Sequence, residues 1–126
     1  MAAIVVRGVV RDGRHLGRKL GFPTANIELA TDPGVADGVY RSVVVYRGQR
    51  YGAMSNLGCN PTVGGNVRRL ETHIFNFAQQ LYGEEIEVEL REKIRDEMHF
   101  ASVEELRRQI EADKMRIEEM NDRIGF

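Results

Sequence analysis

Two hydrophobic periods divide the chain. In "IEVEL" (86–90) the apolar Ile86, Val88 and Leu90 alternate with Glu87 and Glu89, the period of a strand with one face buried. "IVVRGVV" (4–10), "TANIEL" (24–29), "VYRSVVVY" (39–46), "YGAMSNLG" (51–58) and "LETHIFNF" (70–77) are short runs that also predict strands. Between them lie "RDGRHLGRKLG" (11–21), "TDPGVADG" (31–38), "RGQR" (47–50), "CNPTVGGN" (59–66) and "YGEE" (82–85), whose glycine, proline, aspartate and asparagine predict loops and turns. Strands at short spacing, with no helical pattern between them, predict an antiparallel sheet or barrel.

The period changes after residue 100. Val103, Leu106, Ile110, Ile117, Met120 and Ile124 fall at helical spacing. Ser102 precedes this run and Glu105 follows three residues later, a capping-box pattern. A helix from about 102 to 124 would be roughly 34 Å long at 1.5 Å per residue. Asp113 interrupts the apolar stripe, and its carboxylate is expected to swing to the rim and pair with a basic neighbour.

Composition narrows the class. The chain has 126 residues, 42% hydrophobic and 29% charged, which suits one globular domain over 1–126. No apolar run approaches the roughly 20 residues of a membrane helix, and "MAAIVVRG" meets a charge too soon for a secretory signal, so a cytoplasmic location is expected. The single cysteine, Cys59, excludes an intrachain disulfide and a zinc cluster. The net charge of −1 is unevenly spread: Arg7, Arg11, Arg14, Arg18 and Lys19 stand against Asp12 alone in residues 1–26. Such a local positive field suits a small anion better than a long nucleic acid, which needs a broad basic face.

That field surrounds "GRKLGFPTAN" (17–26). A P-loop is excluded, because Lys19 is followed by Leu20 and no helical period follows; the G-x-G-x-x-G fingerprint is also missing. Pro23 fixes its own φ and pushes Phe22 toward extended geometry. An extended continuation puts Thr24 and Asn26 on one face, where a hydroxyl and an amide oxygen can serve as hard, neutral ligands for Mg²⁺ alongside phosphate. Neighbouring glycines let backbone N–H groups approach phosphate oxygens. The same residues also fit a proline-initiated strand with Thr24 and Asn26 tidying a turn.

"GRKLGFPTAN" closely resembles the signature of the riboflavin kinase (flavokinase) family. "DGVY" (37–40), "NLGCNPTVGG" (56–65), "LETHIFNF" (70–77), "LYGEEIEVEL" (81–90) and "IRDEMHF" (94–100) resemble family segments in family order, from about residue 5 to about 116. The resemblance implies a small six-stranded antiparallel, Greek-key-like barrel with a long C-terminal helix. It implies ATP:riboflavin 5′-phosphotransfer yielding FMN and ADP, with Mg²⁺. By the same resemblance Thr24 and Asn26 hold the metal, and Gly17, Lys19, Gly21 and Pro23 lie with them at the ATP phosphates. The resemblance further implies that Glu71 is the catalytic base and that Asn60, Pro61, Thr62, Arg95 and Phe100 belong to segments that close over riboflavin. The family often has lysine where this chain has His99.

From the residues alone, Glu71 would share a strand face with His73, Phe75 and Phe77, or would pair at the surface with Arg68 or Arg69. His73 and Cys59 suit structural roles. In many bacteria such a domain follows a nucleotidyl-transferring domain that makes FAD, for which 126 residues leave no room. The chain is expected either as a stand-alone kinase or as an excised C-terminal piece, as a monomer, without nucleic-acid or membrane partners. Two rivals stand beside the kinase: a non-catalytic flavin-binding module, and a small barrel for single-stranded nucleic acid. The second would use stacking aromatics in a basic groove, whereas aromatics are 7% here and tryptophan is absent.

Overall fold

Alternation sets the strands. The computed structural model describes residues 4–11, 20–29, 32–62 and 65–126. Among the described residues six strands precede one helix: β1 (Ile4–Val9), β2 (Ala25–Glu28), β3 (Gly38–Tyr46), β4 (Gln49–Thr62), β5 (Gly65–Ile74), β6 (Glu85–Arg95) and α1 (Val103–Ile124). Arg47 and Gly48, with φ of 49° and 77°, form the two-residue turn that joins β3 to β4. Positive φ at both central positions matches the right-handed twist of a hairpin.

Every pairing is antiparallel, and the spatial order is β1-β6-β3-β4-β5-β2. Strands β3, β4 and β5 follow one another as hairpins, and β6 returns to lie beside β3, which is a Greek key. The two edges approach each other. An isolated bridge joins Arg11 to Asn26, with the Arg11 N–H donating to the Asn26 carbonyl at 2.7 Å. Gly8 makes this approach possible, since a Cβ there would lie 2.4 Å from Ile27 Cγ2. The sheet is thereby a nearly closed barrel.

The strand faces build two cores. Val44, Ala53, Leu57, Leu70, Ile86 and Val88 fill the barrel interior with almost no exposure. Each of the larger ones contributes about 1.5–3 kcal/mol by leaving water. Ser42, Ser55 and Thr72 are also buried there and satisfy one another, with Ser55 Oγ 2.8 Å from both other hydroxyl oxygens. On the outer face, Val39, Met54, Phe75 and Ile94 pack against Ile117, with Ile110 and Met120 of α1 beside them.

The helix begins where its cap predicts. Ser102 Oγ accepts from the Glu105 N–H at 3.1 Å, and Glu105 Oε2 reaches back to the Ala101 N–H at 3.0 Å. The apolar stripe overhangs at both ends, where Val103 and Ile124 are exposed. Its buried centre includes two polar residues, Asp113 and Asn121, each met by an arginine of the sheet. Asp113 therefore pairs with a basic residue, as expected, but does so buried rather than at the rim. Arg95 Nε donates to Oδ2 at 2.9 Å, and Gln109 Nε2 donates to Oδ1 at 2.9 Å. Asn121 Oδ1 accepts from Arg41 Nη1 at 3.0 Å, while Glu92 takes the rest of that guanidinium.

Two sequence expectations need correction. The stretch 59–66 is not simply a loop, because β4 runs to Thr62 and β5 starts at Gly65. Cys59–Thr62 pair with Gly65–Arg68, past the last β3–β4 pair at Gly38 and Leu57, so they form a two-stranded ribbon in which Pro61 interrupts no β3 ladder. Phe77 does not share the face of Glu71. The strand ends at Ile74, Asn76 takes φ of 55°, and Phe77 packs with Tyr46 and Tyr51 instead.

Candidate active site

Cross-strand register collects the polar residues into one row. Arg95 of β6 pairs with Val39 of β3, Val39 with Asn56 of β4, Asn56 with Glu71 of β5, and Glu71 with Asn26 of β2. The bridge to Arg11 completes it. Directly opposed residues project to the same face of a sheet. The row therefore places Glu71 between two asparagine amides, with Arg11 one strand beyond. Arg95 lies three strands from Glu71, roughly 14 Å at about 4.8 Å per strand.

Asn26 is buried, 5% exposed, and its Oδ1 has no hydrogen-bond partner. A buried acceptor left unpaired costs about 1–3 kcal/mol, so a group that supplies positive charge there would relieve it. The Glu71 carboxylate is half-buried, and among the described residues no hydrogen bond or ion pair engages it. The surface pairing with Arg68 or Arg69 does not form: Arg68 binds Asp32 and Asp37, and Arg69 reaches Glu28. Among the described residues no cluster of three or more His, Cys, Asp or Glu could hold a metal ion. The candidate donors for a divalent cation are thus neutral oxygens, and the orphaned Asn26 Oδ1 fits that role.

The approach to Asn26 is shaped by Gly21–Thr24. Gly21 takes φ of 89°, a left-handed conformation that favours glycine. The Pro23 carbonyl accepts from His73 Nδ1 at 2.8 Å, which fixes the proton on that nitrogen. His73 is held below its usual pKa by burial, with Lys114 adding repulsion and the Pro23 bond opposing both. Pro23 and Thr24 line a cleft of about 430 Å³ at the end of the barrel, together with Val10, Thr72, Phe77 and Gln80. A mostly apolar cleft of this size suits a drug-sized or nucleoside-sized ligand. Thr24 thus stands between the cleft and the Asn26–Glu71 pair.

The remaining expected residues divide. Arg95 and Phe100 are brought together, the guanidinium lying 5.9 Å from the ring centroid, and Arg95 is also bound to Asp113. Asn60, Pro61 and Thr62 lie in the β4–β5 ribbon, and their side chains fall outside what the structure describes. Gly17 and Lys19 lie outside the described residues. Sequence reasoning assigned no site role to Asn56 and Arg11. Counting back from the two-residue turn at Arg47–Gly48 would have set Asn56 opposite Val39; the bridge from Arg11 to Asn26 leaves no such local signal.

The Greek-key barrel with an outer helix thus carries, among the described residues, a half-buried carboxylate set between two asparagines. The chain belongs to the riboflavin kinase family: the family model described as Flavokinase, riboflavin kinase, matches residues 2–121. It is 40% identical over 123 residues to the RNA-binding riboflavin kinase RibR of Bacillus subtilis, covering 97% of this chain and 53% of that protein. It is 43% identical over 107 residues to the bifunctional riboflavin kinase/FMN adenylyltransferase of Haemophilus influenzae, covering 84% of this chain and 35% of that one. The chain therefore spans about half or less of the length of these curated relatives. A solved structure described as a macrolide-efflux protein from Streptococcus pneumoniae superposes with a TM-score of 0.81 at 40% identity, over 90% of this chain and 38% of that one. The riboflavin kinase of Trypanosoma brucei shares the fold, with a TM-score of 0.65 at 21% identity over 97% of this chain and 82% of that one.

Proposed function

We infer that this chain transfers the γ-phosphoryl group of ATP to the 5′-hydroxyl of riboflavin, giving FMN and ADP. The observation that carries the assignment is the Glu71 carboxylate, unpaired among the described residues and set opposite Asn26, whose buried Oδ1 has no partner, on a family-matched barrel. Glu71 accepts the proton of the ribityl hydroxyl as that oxygen attacks phosphorus, and the γ–β bridging oxygen leaves with ADP. Asn26 and Thr24 would hold Mg²⁺, which when bound neutralises charge on the transferring group. The cleft beside Pro23 and Thr24 takes the nucleotide, with Gly21 at its phosphates, a role the family resemblance extends to Gly17 and Lys19. The β4–β5 ribbon that carries Asn60, Pro61 and Thr62, together with Arg95 and Phe100, takes the flavin.

Nucleic acid is not a ligand in this account. Among the described residues Arg7, Arg41, Arg50 and Arg68 are bound to carboxylates and do not form a free basic face. No helix of the described residues is long and apolar enough to cross a membrane. The proposed kinase acts in the cytoplasm as a monomer. Incubation with riboflavin, ATP and Mg²⁺, followed by chromatography, tests the activity. FMN and ADP are expected in equal amounts, with no FAD; riboflavin bound but never phosphorylated would identify a flavin-binding module instead.

A further inference from the structure

His73 is 8% exposed, and only one of its ring nitrogens is used. Nδ1–H donates to the Pro23 carbonyl at 2.8 Å, while Nε2 is buried without a partner. A position chosen for packing alone would be served better by an apolar ring, as at the neighbouring Phe75, because an unpaired buried nitrogen is a cost with no return. The imidazole is retained where its one donor holds the peptide that leads into Thr24. The same segment is gripped a second time. Phe22 meets His73 edge-on at 5.5 Å, and Phe75 meets it at 5.7 Å. The Lys114 ammonium of α1 lies 5.9 Å from the Phe22 ring and 5.6 Å from the Phe75 ring. A short approach with no regular structure of its own is thus tied to β5 and to the helix just before it delivers Thr24.

We propose that His73 is a positioning residue for the nucleotide half of the site, acting on Thr24 through its hydrogen bond to the Pro23 carbonyl. Its effect on turnover rests on the kinase assignment; its effect on the loop does not. Asparagine offers a donor near the Nδ1 position, glutamine one near Nε2, and leucine none. His73→Leu should raise the KM for Mg·ATP, and the Kd for Mg·ADP by calorimetry, about tenfold, the equivalent of one lost hydrogen bond. The riboflavin KM should stay within about twofold. His73→Asn should restore the nucleotide constants to within about threefold of wild type. In the ligand-free protein, amide exchange of Leu20, Gly21, Phe22 and Thr24 should quicken in His73→Leu and return in His73→Asn. Should His73→Leu fail to fold, His73→Gln replaces it with the same expectations. A merely structural histidine would lower the melting temperature and leave both KM values and the loop's exchange unchanged. That result, or His73→Asn as impaired as His73→Leu, overturns the proposal. If wild type makes no FMN, the kinase assignment fails by itself, and the exchange comparison still decides whether His73 holds the loop.

Discussion

Breaking the pair between Asp113 and Arg95 should undock the helix. Asp113 is 4% exposed and gives its carboxylate to Arg95 at 2.9 Å and to Gln109 at 2.9 Å. Among the described residues, Asp113→Ala leaves the guanidinium with the Asp96 carbonyl at 3.0 Å and the Phe100 ring. Removing one partner of a buried pair costs about 3–5 kcal/mol. The lower figure applies here, because the Arg95 side chain keeps 17% exposure and can turn toward water. For a domain of 126 residues, about 3 kcal/mol corresponds to a fall of roughly 10–15 °C in Tm. Replacing both partners by apolar residues avoids the stranded charge, so Asp113→Leu with Arg95→Met should return to within about 1 kcal/mol of wild type. Urea denaturation of the three proteins measures these values. A loss below about 1 kcal/mol for Asp113→Ala, or a double variant no more stable than the single one, would show that the pair does not hold the helix. The double variant also isolates function: if Arg95 contacts flavin, the protein folds yet binds riboflavin more weakly.

Three further outcomes follow from the described contacts. Asn26→Leu removes the orphaned Oδ1, so denaturation should show unchanged or slightly raised stability while the Mg²⁺ required for half-maximal turnover rises about tenfold or more; Asn26→Asp should shift the metal titration without abolishing it. Ser102→Ala should cost about 1 kcal/mol, read as a lower denaturation midpoint at unchanged slope. The hydrogen bonds from Arg41 hold Glu92 below its ordinary pKa of 4.5, so the unfolded chain binds more protons there. That stability is present above about pH 4.5 and is lost as pH falls through the lowered native value; Glu92→Gln should flatten the dependence between pH 6 and 3.

Strand existence and the helix cap were legible because each is local. Alternation in 86–90 and the Ser102–Glu105 spacing are governed by neighbours in the chain, and both recur in the fold. The β4–β5 ribbon was not legible, since its glycine, proline and asparagine content is that of a loop, and only pairing with each other makes these residues strands. Asp113 broke the apolar period visibly, but its burial depended on Arg95 arriving from another element. Phe77 followed the alternation of 70–77 on paper, and the turn at Asn76 rotated it away. For the candidate site, the resemblance named Asn26 and Glu71; that they face each other, with Asn56 on the far side, is a property of register across three strands. Register flips every side chain when it slips by one residue, and no local pattern in 59–66 sets it.

The central claim is that Glu71 is the base of a phosphoryl transfer, and one kinetic comparison reaches it. Glu71→Gln keeps the size and the place opposite Asn26 but removes the basic oxygen. With riboflavin and Mg·ATP saturating, its rate of FMN formation should fall by roughly 10²–10⁴, the usual contribution of a positioned base. The Kd values for riboflavin and Mg·ADP should move far less, because the proton shifts only on the way to the transition state. A Glu71→Gln protein that binds both ligands normally and forms FMN within about threefold of the wild-type rate would contradict the account.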